Sequence, residues 1–454
     1  MRTKTANLLL AALLAMGLFG ACALGAEAPA AANEEGFVSI FNGKDLTGWD
    51  GDPNLWSVAD GCIRGQTTAE KKAHGNTFCI WRAGKLKDFV LKIKFRIQNG
   101  NSGVQYRSQE KPGNATPGTR NRWGILGYQA EVEDAPGKVG FLYDEARRGW
   151  LVNVGDLMEL NIVDGKLVKE VVGKINDKDA LVKNGYYKKQ DWNEYTITCR
   201  GNHVMQELNG HLTVEMIDND AEKRSLEGLL ALQIHAGPPM VVEFKDIRVK
   251  HLTEPYGEAI RLFNGKDMAG WTLSGDNQKN TWNVKDGALC TTGKPAGYIR
   301  TEKDYANFVL RVQLRHHARC NAGVLIRMTG QDKVWPKSIE CQGQKDSMGD
   351  IWNIDKFPMK TAEDRTKGRH TVKMHPTNEK PLEEWNQYEI YMNKGDLRIY
   401  VNGLLQNSAT DCQEVAGKIC LQSEGNALDY RELVLIPIGS RSPKPAAPGG
   451  QSGK

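Results

Sequence analysis

The chain runs to 454 residues, with 60 Lys and Arg against 55 Asp and Glu. That length exceeds what one ordinary core serves and points to two domains. With Arg2 and Lys4 in a leader, the remaining charge is close to balanced and contains no basic block, which excludes nucleic acid as a partner.

The leader is the first element. Met1-Arg2-Thr3-Lys4 precedes an apolar run from Leu8 to Leu18 and then small residues, the pattern of an export signal over residues 1–26. Cleavage sites of the Ala-x-Ala type stand at Ala21-Cys22-Ala23 and Ala26-Glu27-Ala28, while Phe19-Gly20-Ala21-Cys22 is an imperfect lipid-attachment box that makes Cys22 the alternative anchor. A periplasmic or secreted protein is expected. No membrane span is expected, because no later stretch reaches the ~20 apolar residues that a spanning helix needs. Export permits disulfides, and Cys412 with Cys420 is the candidate pair, buried free thiols being the alternative. Neither Cys-x-x-Cys nor another zinc spacing occurs.

"FNGKDLTGW" at 41–49 returns as "FNGKDMAGW" at 263–271, and the two stretches then keep step. Asp88-Phe89-Val90-Leu91 answers Asn307-Phe308-Val309-Leu310. Asn101-Ser102-Gly103-Val104 with Arg107 answers Asn321-Ala322-Gly323-Val324 with Arg327. Trp192-Asn193-Glu194-Tyr195 answers Trp385-Asn386-Gln387-Tyr388, and Leu232-Gln233 answers Leu421-Gln422. Preserved order over this distance is an internal duplication. It places one domain at 36–250, a second at 258–438, and a Pro/Gly/Ser/Lys-rich tail at 440–454 with too little apolar surface to fold.

Within each copy the period is that of strands. "FVLKIKFRI" (89–97) and "FVLRVQLR" (308–315) alternate apolar with polar residues, as a sheet with one buried face requires, and "YEIYMNKGDLRIYVNG" (388–403) is a hairpin around Lys394-Gly395-Asp396. Many short strands with Asn-Gly and Asp-Gly turns predict an all-β chain of two tandem β-sandwich or jelly-roll domains. The repeated phrase itself reads as structural, Asn42-Gly43 and Asn264-Gly265 forming a tight turn and Phe41 and Trp49 pinning the first strand.

Chemistry is sought on the strands, where alternate residues share a face. In "NGNSGVQYRS" this groups Asn101, Gly103, Gln105 and Arg107. In "GYQAEVED" it groups Gln129, Glu131 and Glu133, and in "LQIHAG" it groups Gln233 with His235. The second copy offers Asn321, Gly323 and Arg327, then Glu340 and Gln342 with the Glu/Gln order swapped, and Glu424 where the first has His235. A solvated outer sheet face is the bland alternative. His316 and His317 are adjacent on a strand, so they point to opposite faces and cannot easily share a metal. Neither a His-Glu-x-x-His motif, nor a phosphate-cradling glycine loop, nor a Gly-x-Ser-x-Gly elbow is present.

"NSGVQYR", "GYQAEVED", "LYDEARRG", "DWNEYTI" and "LQIHAG", with the partners "NAGVLIR", "IECQGQKDSMGDIW", "EEWNQYEI" and "LQSEG", resemble the 3-keto-disaccharide hydrolase family over both copies. The resemblance implies concanavalin A-like jelly rolls acting on glycosides oxidised to a ketone at C3, downstream of an enzyme that oxidises the sugar. The ketone acidifies the C2 proton, so a base forms an enolate, the C1 oxygen leaves by elimination, and water adds back. Glu131 and His235 are then expected as base and acid. Arg107 is expected to stabilise the enolate, and Asn101, Gln105, Gln129, Tyr143 and Gln233 to hold hydroxyls. Asn321, Arg327, Glu340, Gln342 and Glu424 line the second copy, which is either a diverged active domain or a sugar-binding module. No cofactor is expected; a divalent metal stays open as an alternative, without support from ligand spacing.

Two rival readings remain. Glu131 and Glu133 could serve as an ordinary retaining pair, although same-face strand positions stand about 6 to 7 Å apart, beyond the ~5 to 5.5 Å that retention prefers. A non-catalytic sugar binder would instead use Trp123, Trp150 or Trp335 as stacking platforms.

Overall fold

The computed structural model describes residues 36–112, 122–174 and 179–439. The export signal, Cys22 and the tail from 440 lie outside the described residues. No helix among them is long and apolar enough to cross a membrane.

The repeated phrase folds twice in the same way. In the first copy the Asn42 side-chain oxygen accepts from Lys44 N (2.8 Å) and Asp45 N (3.0 Å), and Trp49 Nε1 donates to the Ile40 carbonyl. In the second, Asn264 accepts from Lys266 N and Asp267 N at the same distances, and Trp271 Nε1 donates to Leu262. The turn needs positive φ at its glycine, and both have it: 72° at Gly43 and 75° at Gly265.

Each copy then builds its own two sheets. The first pairs a ten-stranded with a seven-stranded sheet and the second a nine-stranded with an eight-stranded one, and no ladder crosses between copies among the described residues. These are two tandem jelly-roll sandwiches. In Phe89–Gln98, residues Phe89, Leu91, Ile93, Phe95 and Ile97 point inward and meet Val104, Tyr106, Ala130 and Val132 from the opposite sheet. The inward position of those four turns Gly103, Gln105, Gln129 and Glu131 to the outer face of the smaller sheet. The expected hairpin forms, with Asn386–Asn393 pairing antiparallel to Asp396–Val401.

One strand departs from the expected half-burial. In Phe308–His316 the polar positions Arg311 and Gln313 are buried as well. Their face packs on the first copy, where Val309, Val434 and Ile436 cluster with Ile217. The Arg200 guanidinium reaches Glu389 with two 3.1 Å hydrogen bonds, and Glu389 also accepts from Arg311. Arg261 crosses in the other direction to Glu159 at 2.8 Å. A sequence alternation reports one buried face, not what later covers the other. The candidate disulfide does not form: Cys412 and Cys420 are both free and buried, the first in the core and the second on the outer face of its sheet.

Candidate functional site

The outer face of the smaller sheet in the first copy carries a connected row of polar side chains. Register places Gly103 opposite Glu131, Gln105 opposite Gln129, Asn101 opposite Glu133, and Gln129 opposite Tyr143 on the next strand. Gln129 Nε2 donates to Glu131 Oε2 at 2.9 Å and lies 3.3 Å from Gln233 Oε1. Asn101 Nδ2 donates to Glu131 Oε1 and, at 3.3 Å, to Glu133. The Gln129 side chain crosses directly over Gly103, where any Cβ would fall inside it.

Glu131 is only 4% exposed. Burial pushes its carboxyl up to about 7, and Glu133 and Glu145 add repulsion, against the Gln129 and Asn101 hydrogen bonds that favour the ionised form. Two buried polar atoms of the row, Asn101 Oδ1 and Gln233 Nε2, have no protein partner. Orphaned groups of this kind are open to a ligand's hydroxyl or carbonyl, or to an ordered water. A depression of about 650 Å³ lined by Asn99, Glu133, Lys189 and Pro238 borders the row through Glu133.

His235 lies just past the end of Gly228–Ile234, exposed, with its backbone N–H on the Asn101 carbonyl (3.3 Å). Its Nδ1 is 2.7 Å from the Ala236 carbonyl, which can only accept, so Nδ1 carries the hydrogen and Nε2 is left for exchange with a ligand. Tyr143 is half-buried on the Gln129 rung, and Trp150 beside it is 45% exposed and stacked on Phe141.

Three expectations need correction. Arg107 is not in this row. It is fully buried, donates to the carbonyls of Lys87 (2.6 Å) and Gly201 (2.6 Å), and pairs with Asp88 at 3.0 Å. The ladder slips between Tyr106 and Gln109, and Arg107 has φ 49°, so the bulge cancels the alternation that put it beside Gln105. Arg327 repeats the device with φ 51°, donating to the carbonyls of Gln413 and Lys394 at 2.7 Å each. Both arginines are structural clamps. Gln105 is likewise committed: its amide donates to Gln129 and accepts from Ser108, so it supports the row and offers no free group.

The second copy has its own row. Gly323 stands opposite Gln342 and Leu325 opposite Glu340, so Glu340 occupies the rung that Gln129 holds in the first copy. The carboxylate leans over Gly323 as Gln129 does over Gly103, with a Cβ there 3.1 Å from Glu340 Oε1. Asn321 donates to Glu424 at 2.6 Å and bridges to it as Asn101 bridges to His235. A cavity of about 190 Å³ is lined by Asn321, Glu340, Gln342, Glu424, Trp335 and Trp352, with Arg369 at its edge. Sequence parity found the strand residues here but missed Glu145, Trp352, Arg369 and Gln422. Gln422 had a usable signal, its alignment with Gln233. Trp352 stands opposite Glu340 as Tyr143 stands opposite Gln129, with no sequence likeness to reveal it, and Arg369 lies in the turn before His370–Thr371.

Among the described residues no three His, Cys, Asp or Glu side chains converge as a metal site. His316 is buried on the Gly343 carbonyl, whereas His317 lies between Glu383 and Asp429 at 2.8 Å each. The "LYDEARRG" segment serves packing as much as the row: Arg148 binds Asp144 of one sheet at 2.6 Å and Asp218 of the other at 2.7 Å. Only Tyr143 and Glu145 of it face the polar row.

The Gly103→Ala substitution is expected to displace Gln129 and so remove one hydrogen bond from the Glu131 carboxylate. The Glu131 carboxyl should then titrate at higher pH than in wild type, read from the pH dependence of its side-chain carboxyl resonance by NMR.

The 3-keto-alpha-glucoside-1,2-lyase-like domain family matches residues 36–250 and again 258–436. A curated 3-keto-disaccharide hydrolase of Bacteroides thetaiotaomicron is 34% identical over 83 residues, 17% of this chain and 29% of that protein, so the chain spans under a third of that relative. Among solved structures, a protein described as a glycosyl hydrolase from Parabacteroides distasonis is 21% identical with a TM-score of 0.31, over 39% of this chain and 92% of that one. A Bacillus licheniformis beta-glucanase is 14% identical with a TM-score of 0.30, over 40% and 98%.

Proposed function

This chain belongs to the 3-keto-alpha-glucoside-1,2-lyase-like family, and we propose that it is an exported carbohydrate hydrolase that cleaves 3-keto-glucosides by elimination and hydration. The observation that carries the reading is the Glu131 carboxyl: buried, titrating near neutrality, held by two amides, and flanked by buried polar atoms that lack partners.

A base that removes a carbon-bound proton works best with a pKa close to the operating pH, and burial gives Glu131 that value. The C2 proton passes to Glu131. The C2–H electron pair forms the C2=C3 bond, and the C3 oxygen becomes an enolate. With Arg107 engaged elsewhere, the donor for that oxygen is the unpartnered Gln233 amide, and Asn101 Oδ1 accepts from a neighbouring hydroxyl. Collapse of the enolate re-forms the ketone, makes the C1=C2 bond and expels the C1 oxygen, which takes a proton from His235 Nε2 at the exposed rim when both ring nitrogens carry one. Water then adds its hydroxyl at C1 and returns its proton to His235 Nε2, and the proton held on Glu131 goes back to C2. Tyr143 and Trp150 provide an edge and a face for the ring, stacking without regard to its substituents. The substrate must come from an enzyme that oxidises the sugar at C3.

The test is the purified protein against the same glucoside with and without oxidation at C3, with and without chelator. Turnover is expected only of the oxidised form, with kcat/KM rising with pH through about 7 as the Glu131 base ionises. Cleavage of the unoxidised glucoside would instead favour the retaining pair, which Asn101 bridges by touching both Glu131 and Glu133.

A further inference from the structure

The second copy differs from the first in ways that simple loss of function does not account for. Its acid is not missing but moved by one rung, into the seat above Gly323. It is 4% exposed. Burial first, and the Glu424 charge second, push its carboxyl up to about 7, against the Arg369 guanidinium and the Gln422 amide. The rung continues outward, with Glu340 opposite Trp352 and Trp352 opposite His370. His370 stacks on Trp352 and binds Asp350 at 2.8 Å, which fixes the tryptophan as a rigid wall.

Arg369 supplies what the first row lacks. Its guanidinium sits 5.1 Å over the Trp352 ring and, among the described residues, has no carboxylate within ion-pair distance. It is exposed at the cavity edge, with its charge unspent. Inside, Asn321 Oδ1 and Gln422 Oε1 are buried without a donor, the same positions that are orphaned or nearly so in the first copy. A cavity of about 190 Å³ between two tryptophans suits a single sugar ring, with the rest of a substrate outside.

We infer that the second copy is a separate active site, in which Glu340 removes the proton beside a sugar ketone and Arg369 faces the enolate oxygen. This rests on the proposed reading of the first copy and extends it to a differently built site for a 3-keto-pyranose. The Glu340 carboxylate takes the C2 proton, the C2–H pair forms C2=C3, and the oxyanion at C3 is stabilised by Arg369. Reversal returns the proton to C2. Forward collapse breaks the C1–O bond, the leaving oxygen takes the proton held on Glu340, and water adds its hydroxyl to C1 while its proton passes through the Glu340 carboxylate to C2, so atoms balance with one water consumed.

The experiment compares wild type, Glu131→Gln, Glu131→Gln/Glu340→Gln and Glu131→Gln/Arg369→Ala, all as full chains with melting curves. Cleavage of a chromogenic 3-keto-glucoside is measured alongside deuterium wash-in at C2 of 3-keto-glucose by NMR, which reports proton removal without bond cleavage. Glu131→Gln should retain measurable cleavage and exchange. Adding Glu340→Gln should cut both by at least about 100-fold, and adding Arg369→Ala by about tenfold or more in kcat with a smaller change in KM. Arg369 is exposed, so its variant tests the idea even if the Glu340 variant misfolds. An inert Glu131→Gln beside an active wild type, or equal rates in Glu131→Gln and the double variants, overturns the second site and leaves the first intact. A wild type silent in both assays overturns the proposed function itself.

Discussion

Replacing Glu131 by Gln is expected to lower the first site's kcat/KM by about 10² to 10⁴ and, at pH 8, to raise the melting temperature. The rate loss follows from removing the only group in the row with a near-neutral pKa that contacts both Asn101 and Gln129. It is read in a Glu340→Gln background, which leaves only the first row. The stability gain follows from linkage. The folded carboxyl titrates at about 7 and the ordinary value is 4.5, so the folded state holds the proton more tightly. The associated stability is complete below about 4.5 and is lost as pH rises through 7. That gap amounts to about 3 kcal/mol at pH 8, and it applies nearly in full because the group is 4% exposed. Glutamine removes the penalty while keeping the shape. Melting should rise by several degrees at pH 8 and change little at pH 5. A variant that loses activity without the pH-dependent gain would mean that Glu131 is not buried as a neutral acid.

The two copies show what a single sequence can and cannot convey about such a site. Asn101, Gln129, Glu131, Gln233, Glu340 and Gln342 were legible because each sits on a regular strand, where the period of two is enforced by Val104, Ala130, Val132, Val324, Ile339 and Cys341 packing inward, and Asn321 continues that period from an isolated bridge just before its strand. Arg107 was misplaced because one residue of positive φ inverts everything the period implies beyond it. The signal for that bulge is indirect: Gly228, whose Cβ would come within 2.6 Å of Ser108 N, and Gly417, whose Cβ would come within 2.6 Å of the Arg327 carbonyl carbon. A glycine facing the same arginine in both copies marks backbone pressed against backbone. Arg369 and Trp352 were illegible for another reason: Trp352 takes the place that Tyr143 holds in the first copy, on a strand whose residues do not match between the copies, and Arg369 reaches the cavity from a turn, where strand parity does not apply.

Arg107→Ala provides the sharpest separation of scaffold from chemistry. The guanidinium satisfies the Lys87 and Gly201 carbonyls and neutralises Asp88, which is 7% exposed and keeps only the Gly201 N–H (2.7 Å) once the arginine is gone. Removing one partner of a buried pair costs about 3 to 5 kcal/mol, chiefly through the charge left behind. The melting temperature should therefore fall by roughly 10 °C. Lysine should restore only part of it, since one ammonium cannot reproduce a fork that reaches a carboxylate and two carbonyls. Asp88→Asn in the alanine background should recover stability, because the second copy already runs the same clamp with Asn307 and no ion pair. At temperatures where the alanine variant is folded, kcat/KM for the 3-keto-glucoside should stay within a few-fold of wild type, since Arg107 touches nothing in the polar row. Wild-type melting with abolished turnover would reverse the assignment and return the enolate to Arg107.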